Sequence, residues 1–352
     1  MIYILKENLL IVLIVLFACS CDNSDNILVD MENPEIEVPE AEDPPELVEP
    51  KNTTGTLLDR NGKMLRGVPM PITQINSNDG VPFSANVNNW IKLRDEYGIN
   101  TVRVCWFDLW LKMRGAQEDQ YWNIDEAMPH IDKCVENAIA TGMNVIINYH
   151  VTGENMAFKN YAGEEVGIDF NRNHDERIEF WTRIAKKYKG NNLVFFELSN
   201  EPNFWHSYYL NETFKKNLLE VYNIVRKEAP NRQILLFSFN GTHYDLKSVV
   251  ENYSPDIDWS RTSVAFHAYE DTSSAKIQEL MSDYRIICTE WDYYGTHDYV
   301  KKIDGELLTA QTMERLGISW VDWYNKESTN SLNRLENVLL PDAKTKNYWW
   351  GN

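Results

Sequence analysis

From Gly55 onward the chain alternates short, almost unbroken apolar runs with longer stretches that are apolar on one side only. The runs predict strands at Met64–Ile72, Thr101–Trp106, Asn144–His150, Leu193–Leu198, Gln233–Phe239, Ser263–Tyr269, Arg285–Trp291 and Ile318–Tyr324. Runs apolar at successive positions suit strands buried on both faces, as in parallel sheets. Between them the pattern predicts helices at Asn88–Tyr97, Ile124–Ala140, Glu176–Lys189, Glu212–Glu228, Ser274–Tyr284 and Val300–Leu316, with a brief one at Asp245–Tyr253. In the third of these, Ile178, Trp181, Ile184, Ala185 and Tyr188 recur at three- and four-residue steps on one stripe. Gly142, Gly190 and Gly317 follow helices as C-terminal stops. Eight strands with interleaved helices predict an α/β fold, a single closed (β/α)8 barrel over residues 55–352. No Gly-x-Gly-x-x-Gly follows a strand, so a dinucleotide fold has no support, and no second globular domain is visible.

The residues ahead of the barrel read differently. Leu9 to Ala18 is an apolar stretch too short to span a bilayer, preceded by Lys6, and suits the core of a signal peptide over residues 1–21. It ends in Leu16-Phe17-Ala18-Cys19, which resembles a bacterial lipobox with Cys19 as the lipidated residue and Cys21 as a second candidate. The plainer alternative is an ordinary cleaved signal. Residues 22–54 then carry eleven acidic side chains against Lys51, more than half of the formal net charge of −19, together with five prolines. Self-repulsion and proline stiffness predict an extended, disordered tether. The expected localisation is an exported protein with a lipid anchor, on the periplasmic or cell-surface face of a membrane. Acidity argues against nucleic acid as a partner, since phosphate binding depends on Lys and Arg, and is compatible with a neutral polymer. Cys105, Cys134 and Cys288, inside apolar runs, read as buried small hydrophobes. Asn211-Glu-Thr and Asn240-Gly-Thr match the glycosylation pattern by chance.

Barrel enzymes place their chemistry at the C-terminal ends of strands. Those ends present Arg103, His150, Asn200 with Glu201, His267 with Tyr269, Glu290, and Trp320 or Trp323. Two carboxyl groups at one mouth are the minimum for cutting a glycosidic bond. The bland alternative is that each Glu caps a strand in a solvated loop, and that each His is a satisfied core imidazole. A metal site is poorly supported, since neither His-x-His nor His-Glu-x-x-His occurs.

The ordered set Arg, His, Asn-Glu, His-x-Tyr, Glu and Trp resembles glycoside hydrolase family 5 across the whole barrel. The segment from Leu57 to Gly67 is similar to that family's opening β-segment and first strand. The resemblance implies that Glu290 is the nucleophile and Glu201 the acid/base. Arg103 would then hold Glu290 ionised, and Tyr269 would aim it by a hydrogen bond. Asn200 would bind the sugar 2-hydroxyl, and His150 and His267 would hold the same sugar or orient the carboxyls. Trp323 would floor the cleaved sugar's subsite, with Trp320 packed against helices. Trp106, Trp110, Trp122, Trp205, Tyr208, Tyr209, Trp291, Tyr293 and Tyr294 divide between sugar stacking and the undersides of loops. Lys326 does not fit the family's usual Lys loop closely, which leaves cellulase and mannanase both open. The implied activity is retaining, endo-acting hydrolysis of a β-1,4-linked polysaccharide without metal or organic cofactor. An exo-acting glycosidase or transglycosylase and a non-catalytic glycan-binding lipoprotein are the alternatives.

Overall fold

A computed structural model of the chain describes residues 53–74, 84–107, 112, 115, 117, 120–151, 156–159, 165–168, 170–203, 206–242, 245–269, 272–291, 302–308 and 310–323. The expected signal peptide with Cys19 and Cys21, nearly all of the tether, and Trp110, Trp205, Tyr293, Tyr294 and Lys326 lie outside them.

Eight strands form the barrel: β1 (Arg66–Ile72), β2 (Thr101–Trp106), β3 (Asn144–Tyr149), β4 (Val194–Glu197), β5 (Gln233–Phe239), β6 (Thr262–His267), β7 (Arg285–Trp291) and β8 (Trp320–Asp322). Each pairs in parallel with the next, and β8 pairs with β1, so the sheet closes. Among the described residues the α-helices of seven residues or more are α1 (Val87–Asp95), α2 (Ile124–Ala140), α3 (His174–Tyr188), α4 (Glu212–Glu228), α5 (Leu246–Tyr253), α6 (Ser274–Asp283) and α7 (Ala310–Leu316). Local chemistry sets their starts. Asn123 and Glu126 exchange side-chain and backbone hydrogen bonds in a capping box at α2. Asn211, one of the two matches to the glycosylation pattern, caps α4 by accepting from the Thr213 and Phe214 amides at 3.0 and 3.1 Å.

Alternation along the strands sorts the core into two layers. One set of positions points outward into the helix layer, where Trp106 stacks on Phe180 of α3 with centroids 5.2 Å apart. The other set points inward. There Leu57, Leu65, Ile146, Phe195, Leu235, Ala265, Ile287 and Val321 form an apolar floor. Two residues further along three of these strands, the inward positions turn polar: Asn148 on β3, Glu197 on β4 and His267 on β6, all fully buried. The floor therefore separates the chemistry from the far end of the barrel.

The predicted helix Val300–Leu316 is a correction. Among the described residues of that span only Ala310–Leu316 is helical, and a two-stranded hairpin, Lys302–Ile303 with Glu306–Leu307, precedes it. The reason is local: Asp304 and Gly305 both adopt positive φ, 51° and 83°, the conformation that a two-residue Asp-Gly hairpin turn needs. A second unanticipated hairpin, Met156–Lys159 with Glu165–Ile168, lies between β3 and α3. Several strand ends are also shorter than predicted, β6 stopping at His267 and β8 starting at Trp320.

Gly67 of β1 marks a close approach inside the barrel. A methyl group placed there would meet Val321 Cγ2 at 2.9 Å and the Thr101 carbonyl at 3.2 Å. Gly67→Ala is expected to lower stability by about 1–3 kcal/mol through overpacking. Urea unfolding checks it, and unchanged or increased stability would contradict this packing.

Candidate active site

Departures from regular strand geometry bring the polar residues together. Past β4 the chain turns at Glu201, which holds φ at 36° immediately before Pro202. A non-glycine residue in the left-handed region costs about 1–3 kcal/mol and persists only where its surroundings enforce it. Here the Asn200 amide donates to the Tyr149 carbonyl at 3.0 Å, and the Trp181 indole donates to the Leu198 carbonyl at 2.8 Å. On β7 a bulge after Cys288 brings Glu290, rather than Thr289, opposite His267 of β6. Bulges commonly re-aim a side chain at a site. On β5, Phe237 and Ser238 take φ of 76° and 38° where the register with β6 shifts.

Arg103 of β2 is the centre of the cluster and is wholly buried. Its Nε donates to Glu197 Oε2 at 2.5 Å, and its NH2 group donates to Glu197 Oε1 at 3.1 Å and to Asn200 Oδ1 at 2.8 Å. Its NH1 group donates to Glu290 Oε1. Ser238 Oγ donates to Glu197 Oε1 at 2.7 Å. Burial pushes Glu197 up, but the charge and hydrogen bonds of Arg103 more than offset that and leave it below the ordinary carboxylate value. Sequence reasoning missed Glu197. The signal was a lone acid inside Leu193-Val-Phe-Phe-Glu197-Leu, on the same inward parity as Phe195.

Glu290 and Glu201 share one polar pocket. Tyr269 donates to Glu290 Oε2 at 2.7 Å. His267 Nδ1 lies 2.7 Å from Glu201 Oε1 and 3.5 Å from Glu290 Oε2. An oxygen of Glu201 lies within 4.8 Å of one of Glu290. Burial, reinforced by the charge of Glu197 and opposed by Arg103, pushes Glu201 up to about 7. Burial also raises Glu290, against the pull of His267 and Arg103, so the cation reduces the rise without reversing it. Burial lowers His267 to about 4, which makes the imidazole neutral at ordinary pH. Its Nε2 is buried without a hydrogen-bond partner among the described residues. An unmet acceptor is the lesser penalty, so the proton belongs on Nδ1, facing the carboxylates. Among the described residues, Glu201, His267 and Glu290 are also the group whose atoms approach closely enough to hold a cation. Any cation would have to compete with the hydrogen bonds from Arg103, Tyr269 and His267.

The Nδ1 of His150 meets Asn148 Oδ1 at 2.9 Å, away from the two carboxyls that His267 approaches. Its ring is parallel to that of Trp323, with centroids 5.0 Å apart, and lies 3.9 Å from that of Phe107. Trp323 is half-buried with the Arg103 guanidinium 5.7 Å from its ring. Trp320 is fully buried and donates to Glu314 of α7. Of the aromatic residues expected to divide between sugar stacking and burial, Trp106, Tyr209 and Trp291 are fully buried core side chains, the two tryptophans because their strand positions face the helix layer. Trp122 stacks on His130, and Tyr208 is exposed.

The structure thus joins a closed parallel barrel to a pocket that holds two carboxyl groups close together. The family model for Cellulase (glycosyl hydrolase family 5) matches residues 59–329, and the chain belongs to that family. Endoglucanase A of Evansella cellulosilytica is 25% identical over 264 residues, 73% of this chain and 48% of that protein. An endoglucanase of Clostridium saccharobutylicum is 23% identical over 280 residues, 76% of this chain and 54% of that protein. The chain thus spans about half the length of these curated relatives. Among solved structures, the catalytic domain of Thermobifida fusca endoglucanase Cel5A superposes with a TM-score of 0.54 at 18% identity, covering 80% of this chain and 86% of that one. A structure of the same domain in complex with cellotetraose gives 0.55 with the same coverage.

The neutral state of His267 is directly observable. Histidine NMR should show its ring uncharged down to about pH 4. A midpoint near the ordinary value of about 6.5 would contradict the burial described here.

Proposed function

We propose that the chain is a retaining, endo-acting β-glycanase that hydrolyses internal β-1,4 linkages of glucan, mannan or a related hemicellulose. The observation that carries this reading is the approach of Glu201 and Glu290 to within 4.8 Å between their oxygens. Double displacement calls for carboxyls about 5–5.5 Å apart, whereas inversion leaves room for a water at about 6.5–9.5 Å. Family membership and the endoglucanase relatives support the same substrate class.

In this reading the Glu290 carboxylate attacks the anomeric carbon while the glycosidic C–O bond breaks. Glu201 gives its proton to the departing oxygen. Its Oε1 faces His267, so the transferable proton sits on Oε2. Water then attacks the anomeric carbon, passes a proton to Glu201 and breaks the ester to Glu290. Asn200 accepts from Arg103 through Oδ1 and offers its amide N–H groups to the sugar 2-hydroxyl. Trp323 provides the floor under the cleaved sugar, with His150 stacked against that ring. A non-catalytic glycan binder would not need the carboxyl pair. The N-terminal sequence supports export and lipid anchoring through Cys19, or alternatively Cys21.

A panel of β-glucans, mannans and xylans, scored by product size, tests the reading with wild type, Glu201→Ala and Glu290→Ala. Internal cleavage by wild type is expected, and each variant should lose about 10²–10⁴-fold or more in rate. Azide should partly restore Glu201→Ala on an activated aryl glycoside, since it attacks the ester without needing a base. Absence of turnover on every glycan, or full activity in either variant, would overturn the assignment.

The pH profile offers a further check. Glu201 acts in its protonated form, so activity is present below its pKa and lost as pH rises through about 7. An alkaline limb near the ordinary carboxylate value of about 4.3 would contradict it.

A further inference from the structure

We propose that Glu197 is a positioning residue for this chemistry: it clamps the Arg103 guanidinium so that one amino group points at Glu290 and the other at Asn200, and its negative charge stops Arg103 from drawing the proton off Glu201. The inference rests on the hydrolase reading above and assigns a task to a residue which that reading does not use.

The geometry of the clamp is specific. Glu197 takes the Nε and NH2 edge of the guanidinium with both its oxygens, at 2.5 and 3.1 Å. That grip fixes the plane, and the remaining N–H directions are the ones that reach Glu290 and Asn200. Glu197 itself is held by Ser238 Oγ at 2.7 Å, and Ser238 belongs to the pair of β5 residues with positive φ. A β5 bulge thus sets Glu197, Glu197 sets Arg103, and Arg103 sets the nucleophile. An ion pair serving stability alone would not require the other guanidinium edge to meet Glu290 and Asn200.

Charge completes the argument. The groups facing the clamp are Arg103 of β2, Glu290 of β7, Glu201 beyond β4, and the neutral His267 of β6. With Glu201 protonated, Glu197, Arg103 and Glu290 sum to one negative charge. Without Glu197 they would sum to zero, and both Glu201 and Glu290 would ionise at lower pH.

The test compares wild type, Glu197→Gln and Glu197→Asp on the glycan that wild type cleaves best, with circular dichroism to establish folding. Carbon-13 NMR of the Glu201 carboxyl is recorded in parallel. In Glu197→Gln we expect kcat to fall about ten- to a hundred-fold with KM nearly unchanged. Both limbs of the pH profile and the Glu201 titration should move down by about one pH unit. Glu197→Asp keeps the charge but is too short for both contacts, so kcat should fall while the limbs stay in place. A Glu197→Gln protein whose limbs and Glu201 titration are unmoved would overturn the clamp, whatever its kcat. Should Glu197→Gln fail to fold, Glu197→Asp decides: wild-type kcat overturns the proposal. A wild type without turnover would count against the hydrolase reading, while the NMR titration would still judge the clamp.

Discussion

One buried cation organises the mouth of this barrel. Removing an arginine from water costs several kcal/mol unless its charge and donors are matched. Arg103 is matched by two carboxylates and an amide oxygen, drawn from β4, from the turn that follows it, and from β7. Removing one member of such a buried pair typically costs about 3–5 kcal/mol. The same contacts that satisfy the charge also fix where Glu290 and Asn200 point. Stability of the pocket and aim of these two side chains are therefore one constraint.

The strands around that cation are irregular where they approach it. Glu201, Phe237 and Ser238 hold positive φ, and β7 bulges ahead of Glu290. Deviations of this kind persist when the rest of the fold over-determines them. The apolar floor from Leu57 to Val321 and the helix layer around Trp181 and Trp320 supply that rigidity. The neutral His267 is a product of the same burial. It places a proton donor between the carboxyls without adding a second cation, which leaves Glu201 able to keep its proton to about pH 7.

Much of this was legible in the residues. The eight apolar runs are the eight barrel strands, because strands buried on both faces cannot carry a solvated side. Asn200, Glu201, His267, Tyr269 and Glu290 stood out as polar groups at or just past the ends of those runs, Arg103 stood out inside one through the family resemblance, and the fold gathers them into contact. Glu197 did not stand out, because it lies inside a run, where periodicity marks a position as core without showing which layer it enters. The bulge on β7 was invisible for a related reason: inserting one residue reverses the parity by which inward positions are counted. The hairpin at Asp304-Gly305 was hidden by a helix-like spacing of apolar residues from Val300 to Leu316, although the dipeptide itself was a turn signal. Which aromatic residues would stack on sugar and which would be buried was not legible; Trp106 and Trp291 prove to be buried against the helices.

Stereochemistry tests the central claim most directly, because it depends on the separation of Glu201 and Glu290. Proton NMR of the reducing end formed in the first minutes of hydrolysis, before mutarotation, distinguishes the two outcomes. The carboxyl spacing predicts that the β-anomer appears first and the α-anomer follows. The α-anomer as first product would place a water between the two glutamates and contradict the account.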